Sequence, residues 1–209
     1  MGRNKIEYSK ELLMHKELLS VAAIIFTFVA FFPYIRSILK GKTRPHVFSW
    51  IIWGTTTFIV FLAQLAGGGG VGAWPIGVSG IITIYIALLA YIKKSDHTIT
   101  KMDWTFLGVA ITALPLWYVT SEPLWAVVIL TFVDLLGFGP TIRKAYHFPL
   151  EENITFYSIF IARNIAVVFA LEYYSLTTVL FPAAVAIASF ILVVLIWVRR
   201  FKVARELSD

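Results

Sequence analysis

The two halves of this chain carry the same marks in the same register. Phe32-Pro33-Tyr34-Ile35-Arg36 reappears as Gly139-Pro140-Thr141-Ile142-Arg143, and Trp74-Pro75 reappears as Phe181-Pro182. Pro33 to Pro140, Pro75 to Pro182 and Lys93 to Arg200 are each a step of 107 residues. Both copies are apolar enough to cross a membrane, so the register points to a duplicated bundle in a bilayer. In such bundles a binding site commonly lies between the repeats.

Composition excludes an ordinary soluble domain. Hydrophobic residues make up 59% of the 209 and charged residues only 14%, and the mean hydropathy is +0.81. A helix needs roughly 20 apolar residues to cross the hydrocarbon core. Seven stretches approach that length: 17–39, 47–66, 74–92, 104–120, 124–142, 154–172 and 176–200. The short polar ends form no domain of their own, and the first helix, too long for a signal h-region and without a small-residue cleavage site, is expected to be structural.

The net charge of +6 does not call for nucleic acid. With seven crossings, one side of the membrane receives Arg36, Lys40, Lys42 and Arg44, then Lys93, Lys94 and Lys101, then Arg143 and Lys144, and finally Arg199, Arg200, Lys202 and Arg205. The other side has only Arg3, Lys5, Lys10 and Lys16, all before the first helix. The positive-inside rule then places the N-terminus outside and the C-terminus in the cytoplasm. The expected location is the cell's inner or plasma membrane, since organelle signals are missing. Cysteine is absent, which excludes disulfides and thiol ligands.

The expected fold is an all-α integral membrane protein of seven transmembrane helices. Residues 17–92 form a first triple-helix bundle, 104–120 a linker helix and 124–200 a second bundle. Corresponding helices lie four crossings apart, so the two bundles are parallel. Pro33 and Pro140 fall in the last turns of each repeat's first helix, where the missing N–H favours a kink, and are candidate hinges. The run from Gly67 to Gly72 has no preceding strand and reads as a flexible turn rather than a phosphate cradle.

These features resemble the SWEET, SemiSWEET and wider PQ-loop family of small transporters. The likeness rests on Pro33-Tyr34-Ile35-Arg36, Lys42-Thr43-Arg44 and Phe48-Ser49-Trp50. It continues in Pro140-Thr141-Ile142-Arg143 and Asn153-Ile154-Thr155-Phe156-Tyr157-Ser158 of the second half. The resemblance implies two triple-helix repeats joined by an inversion linker. It departs from the family pattern at Tyr34 and Thr141, where the family has Pro-Gln. Prolines are missing from 47–66 and 154–172, and asparagines from 74–92 and 176–200. The likeness is therefore one of architecture more than of sugar-site chemistry.

Asp134 and Arg163 are the sharpest functional signal. At about 1.5 Å per residue both fall near the midplane, where a charge is costly and normally paired. They are expected to form an ion pair, serving as gate, switch or substrate site; a static bridge is the plainer alternative. Their first-half counterparts are Thr27 and Thr56. On the second helices, Trp50, Trp53, Thr57 and Gln64 share a face with helical spacing, mirrored by Tyr157, Phe160, Asn164 and Leu171. Trp50 and Tyr157 suit interface anchoring. Trp53, Thr57, Phe160 and Asn164 suit a pocket wall with placed polar groups, with Asn164 and Thr57 as a hydrogen-bonding couple.

Ser79, Thr83 and Ser189 are secondary candidates, although such hydroxyls often bond only to their own helix. Glu122 and Glu172 read as water-facing ends. His15, His46, His97 and His147 have no metal-ligand spacing, and a Schiff-base lysine is missing between Thr177 and Val198. Neither a nucleophile–base constellation nor a cofactor motif is present, so an enzyme is not expected.

The expected function is transport of a small polar solute by alternating access, with the solute and the lipid bilayer as partners. Faces of small residues such as Ala184 and Ala188 would also permit homo-oligomeric contact. The rivals are a non-transporting receptor of the same fold, as the KDEL receptors are, and a structural or lipid-handling membrane protein.

Overall fold

The computed structural model describes residues 2–41, 45, 47–93, 101–150 and 152–206. These form eight helices and no strand: α1 (Gly2–Leu39), α2 (Val47–Ala66), a 3-10 turn (Gly70–Ala73), α3 (Trp74–Ile92), α4 (Lys101–Thr120), α5 (Pro123–His147), α6 (Ile154–Ala170) and α7 (Leu176–Glu206). Four segments are long and apolar enough to cross a bilayer, namely Lys10–Leu39, Val47–Ala66, Gly70–Ile92 and Leu176–Arg205. Trp104–Thr120, Pro123–Gly139 and Ile154–Ala170 are shorter apolar helices.

Exposure along α1 fits a bilayer as the surrounding medium. Leu18, Val21, Ile25, Phe28 and Phe32 are all at least half exposed, and their spacing of three and four residues puts them on one outward stripe. Ser20, Ala23, Thr27, Ala30 and Phe31 on the opposite face are buried. A soluble helix would show the reverse polarity on its exposed face.

Several helices run past the expected limits. α1 begins at Gly2 rather than 17, α5 continues through Pro140 to His147, and α7 reaches Glu206. The apolar run marks only the membrane-compatible part of a helix. Beyond it, Leu, Met, Glu, Lys and Arg are strong helix formers and carry the helix into polar sequence.

Packing follows a repeated plan. α3 packs against both α1 and α2, and α7 packs against both α5 and α6, so the third helix of each half lies between the first two. Across the halves, α1 packs on α6 and α2 on α5. α4 packs on α5 and touches α2. The ends of the bundle where α1 stops and α2 starts carry Arg36, Lys40, Arg199 and Arg200, and we call this the basic end; the opposite one, with the glycine run, is the glycine end. At the basic end Arg199 Nε donates to Tyr146 O at 2.8 Å, while Arg200 Nε donates to Pro149 O at 3.0 Å and Nη2 to Glu152 O at 2.7 Å. These bonds tie α7 to the α5–α6 connection.

Small residues let α2 and α3 approach closely. A Cβ at Gly54 would lie 2.9 Å from Ile84 N, and one at Gly80 would lie 3.0 Å from Phe58 N. Both neighbours are backbone atoms that no rotamer change can move. Gly54→Val is expected to lower stability by about 1–3 kcal/mol through overpacking. The check is the melting temperature of the detergent-solubilised protein, and an unchanged value would contradict this packing.

Candidate functional site

A cavity of about 550 Å³ lies between the two halves. Every α-helix except α4 lines it, as the crossed packing of α1 on α6 and α2 on α5 requires. Its mouth is at the basic end, where Pro33, Asn153 and Thr155 are exposed lining residues. Asn153 is held there as the cap of α6, its Oδ1 accepting from Phe156 N at 3.2 Å. Such a cap satisfies one of the helix's orphan donors.

Aromatic rings form most of one wall. Trp50 and Trp53 meet edge to face at 5.7 Å, Phe31 meets Trp50 at 6.4 Å, and Phe31 meets Phe160 at 5.6 Å. Tyr34 stacks on Trp50 at 5.0 Å. Trp50 is therefore part of the wall, not only an interface anchor. Trp53 is seated by a glycine: a Cβ at Gly137 would stand 2.8 Å from Trp53 Nε1, so only a residue without one leaves room for the indole.

Arg163 is 2% exposed and lies deep in the cavity. Its Nε donates to Thr27 Oγ1 at 3.2 Å, Nη1 to Asn164 Oδ1 at 3.1 Å and Nη2 to Pro75 O at 2.9 Å. The guanidinium also lies 5.6 Å from the centre of the Phe160 ring, within cation–π range. Asp134 lines the same cavity, one helical turn before Gly137.

The direct ion pair expected between Asp134 and Arg163 is not made among the described residues. Its physical reason lies in the packing order. α5 and α6 follow each other in sequence, but α7 packs between them. Arg163 instead reaches α1, where it meets Thr27, the counterpart of Asp134 in the first half. Asp134 and Arg163 both line the cavity without touching each other.

Of the residues expected to form a site, Trp53, Thr57, Phe160, Arg163, Asp134 and Pro33 all line this cavity. Asn164 does not: it is fully buried, donates from Nδ2 to Phe160 O at 2.8 Å and holds Arg163 with its oxygen. It therefore positions Arg163 rather than coupling to Thr57. Pro140 lies within α5, but its side chain is outside the described residues, as are His46 and His97. Ser79 and Thr83 are lining residues, and Thr83 Oγ1 donates to Ser79 O at 2.8 Å. Ser189 is buried away from the cavity, its hydroxyl without a partner among the described residues.

The glycine end is shut by contacts that sequence reasoning missed. Glu172 Oε1 accepts from Val71 N at 2.9 Å, and Glu172 N donates to Gly69 O at 3.2 Å. Ser20 Oγ donates to Val71 O at 2.6 Å, and Lys16 Nζ to Leu171 O at 2.7 Å. Gln64 Nε2 donates to Thr178 O at 2.7 Å just beneath. The glycine run is thus a packed clasp and not a loose turn. Gly68 and Gly70 have φ of +80° and +57°, the left-handed region that glycine enters at least cost. Glu172 is exposed, as a water-facing end is expected to be, and also joins the clasp.

No protein-family model, curated protein or solved structure matches this chain.

Proposed function

We propose that this chain is a membrane transporter that moves a small polar solute by alternating access. Two parallel three-helix bundles, α1–α3 and α5–α7, rock against each other, with α4 as the linker and the basic end in the cytoplasm. All seven α-helices cross the bilayer in this reading. The observation that carries it is the cavity itself: it lies on the seam between the halves, opens at one end and is clasped at the other. A site at the interface of repeats, reachable from one side at a time, is what alternating access needs. The sequence resemblance to the SWEET and PQ-loop transporters, carried by the runs at Pro33 and Pro140, points the same way. Pro33 and Pro140 are the hinges of this motion.

Two measurements test it. The chain has no cysteine, so Ser79→Cys introduces a single thiol deep in the cavity. A membrane-impermeant maleimide is expected to label it from the basic-end side and not from the glycine-end side. Saturable flux of one of a panel of sugars, amino acids, carboxylates and vitamins in proteoliposomes, lost in Asp134→Asn, supports transport. A protein that binds one of these solutes yet moves none would turn the reading to a receptor.

A further inference from the structure

Asp134 is a carboxylate on the wall of a largely apolar cavity, with no hydrogen bond or ion pair among the described residues. Removing a carboxylate from bulk water without a partner is costly, so a group of this kind calls for a cation or a proton from outside the fold. Arg163 poses the complementary demand. A guanidinium has five N–H donors, and neutral oxygens of Thr27, Asn164 and Pro75 take three of them. Its charge is therefore held in place without being neutralised by contact.

A continuous aromatic wall lines the same cavity. Trp53 sits on Gly137, one turn from Asp134. Trp50, Phe31 and Phe160 follow at ring separations of 5.7, 6.4 and 5.6 Å, and Phe160 lies under the Arg163 guanidinium. We propose that the cavity takes a small zwitterion with an apolar body, its ammonium on Asp134, its carboxylate toward Arg163 and its body along the Trp53–Trp50–Phe31–Phe160 wall. This rests on the reading of the cavity as the solute site and names the class of solute.

Electrostatics select the zwitterion over its rivals. A monoanion gains from Arg163 but meets Asp134, and a monocation meets the opposite conflict. A sugar's hydroxyls can bond to both groups and to the lining hydroxyls, but they leave both charges without a counter-ion. A zwitterion satisfies both charges at once, and an aromatic face adds attraction for its ammonium. Glu152 lines the mouth, where it accepts from the Tyr157 hydroxyl at 3.4 Å; it stands outside the deep pair.

The test uses three matched probes with one body: L-phenylalanine, phenethylamine, which lacks the carboxylate, and 3-phenylpropionate, which lacks the ammonium. Calorimetric titration of the detergent-solubilised full chain is expected to give binding of L-phenylalanine, with each truncated probe roughly tenfold or more weaker, because it leaves a site charge unpaired. In Asp134→Asn, the advantage of L-phenylalanine over 3-phenylpropionate is expected to disappear while the protein keeps its wild-type elution profile. Equal binding of all three probes, or of none, overturns the proposal. Counterflow of labelled L-phenylalanine in proteoliposomes separates this from the transporter reading. Binding without counterflow supports the zwitterion site and overturns transport; counterflow of a sugar without L-phenylalanine binding overturns the zwitterion and keeps transport.

Discussion

Arg163→Ala is expected to be the most destabilising single substitution in the cavity, lowering stability by about 3–5 kcal/mol. The reason is its position between halves. Arg163 belongs to α6, but two of its three acceptors, Thr27 and the Pro75 carbonyl, belong to α1 and α3. Truncation strands Asn164 Oδ1 in buried surroundings, takes from the Pro75 carbonyl its partner outside α3 and leaves a hole where a fully buried guanidinium stood. A domain of this size loses roughly 2–4 °C of melting temperature per kcal/mol, so a fall of roughly ten degrees or more is expected in detergent. Thr27→Ala removes a single acceptor and should cost about 1 kcal/mol. Arg163→Lys keeps the charge but lacks the planar fork that reaches three acceptors, so it should fall between the two. An Arg163→Ala protein melting with the wild type would show that this network ties nothing together.

Much of this arrangement was legible in the sequence, and the misreadings share a cause. The limits of α2 and α3 match the expected 47–66 and 74–92, because turn residues and proline bound these apolar runs. The wall formed by Trp53, Thr57 and Phe160 followed from helical spacing alone, which assigns a face without needing the partner. The Asp134–Arg163 pair did not follow, because placing two residues at one depth does not place their helices side by side. Asn164 was misassigned for a related reason: its neighbour in sequence, Arg163, claims its oxygen. The clasp left no trace at all. Glu172 meets Val71 across 101 residues, its carboxylate taking a backbone N–H that has no periodicity to read.

Gly72→Val is expected to force the clasp open. A Cβ at Gly72 would lie 2.6 Å from Leu171 N and 2.7 Å from both Ala170 C and Leu171 Cα. These are backbone atoms at the end of α6, so no rotamer change relieves the clash, and the 3-10 turn must move away from α6. That movement pulls on the Val71 bonds to Glu172 Oε1 and Ser20 Oγ and on the Gly69 bond to Glu172 N. Overpacking of this sort costs about 1–3 kcal/mol; in the proposed alternating-access cycle that cost falls on the state closed at the glycine end and not on a state open there. In a Ser79→Cys background, the variant should therefore admit the impermeant maleimide from the glycine-end side. Gly108→Ala is the control, since nothing stands within 4 Å of that Cβ and alanine is the better helix former; its labelling should remain confined to the basic-end side. A Gly72→Val protein that melts early without changing the side of labelling would make the glycine run a structural seal. If the side changes, the clasp is the closure that holds the cavity away from one face of the membrane, and the rocking of the two halves has a residue-level handle.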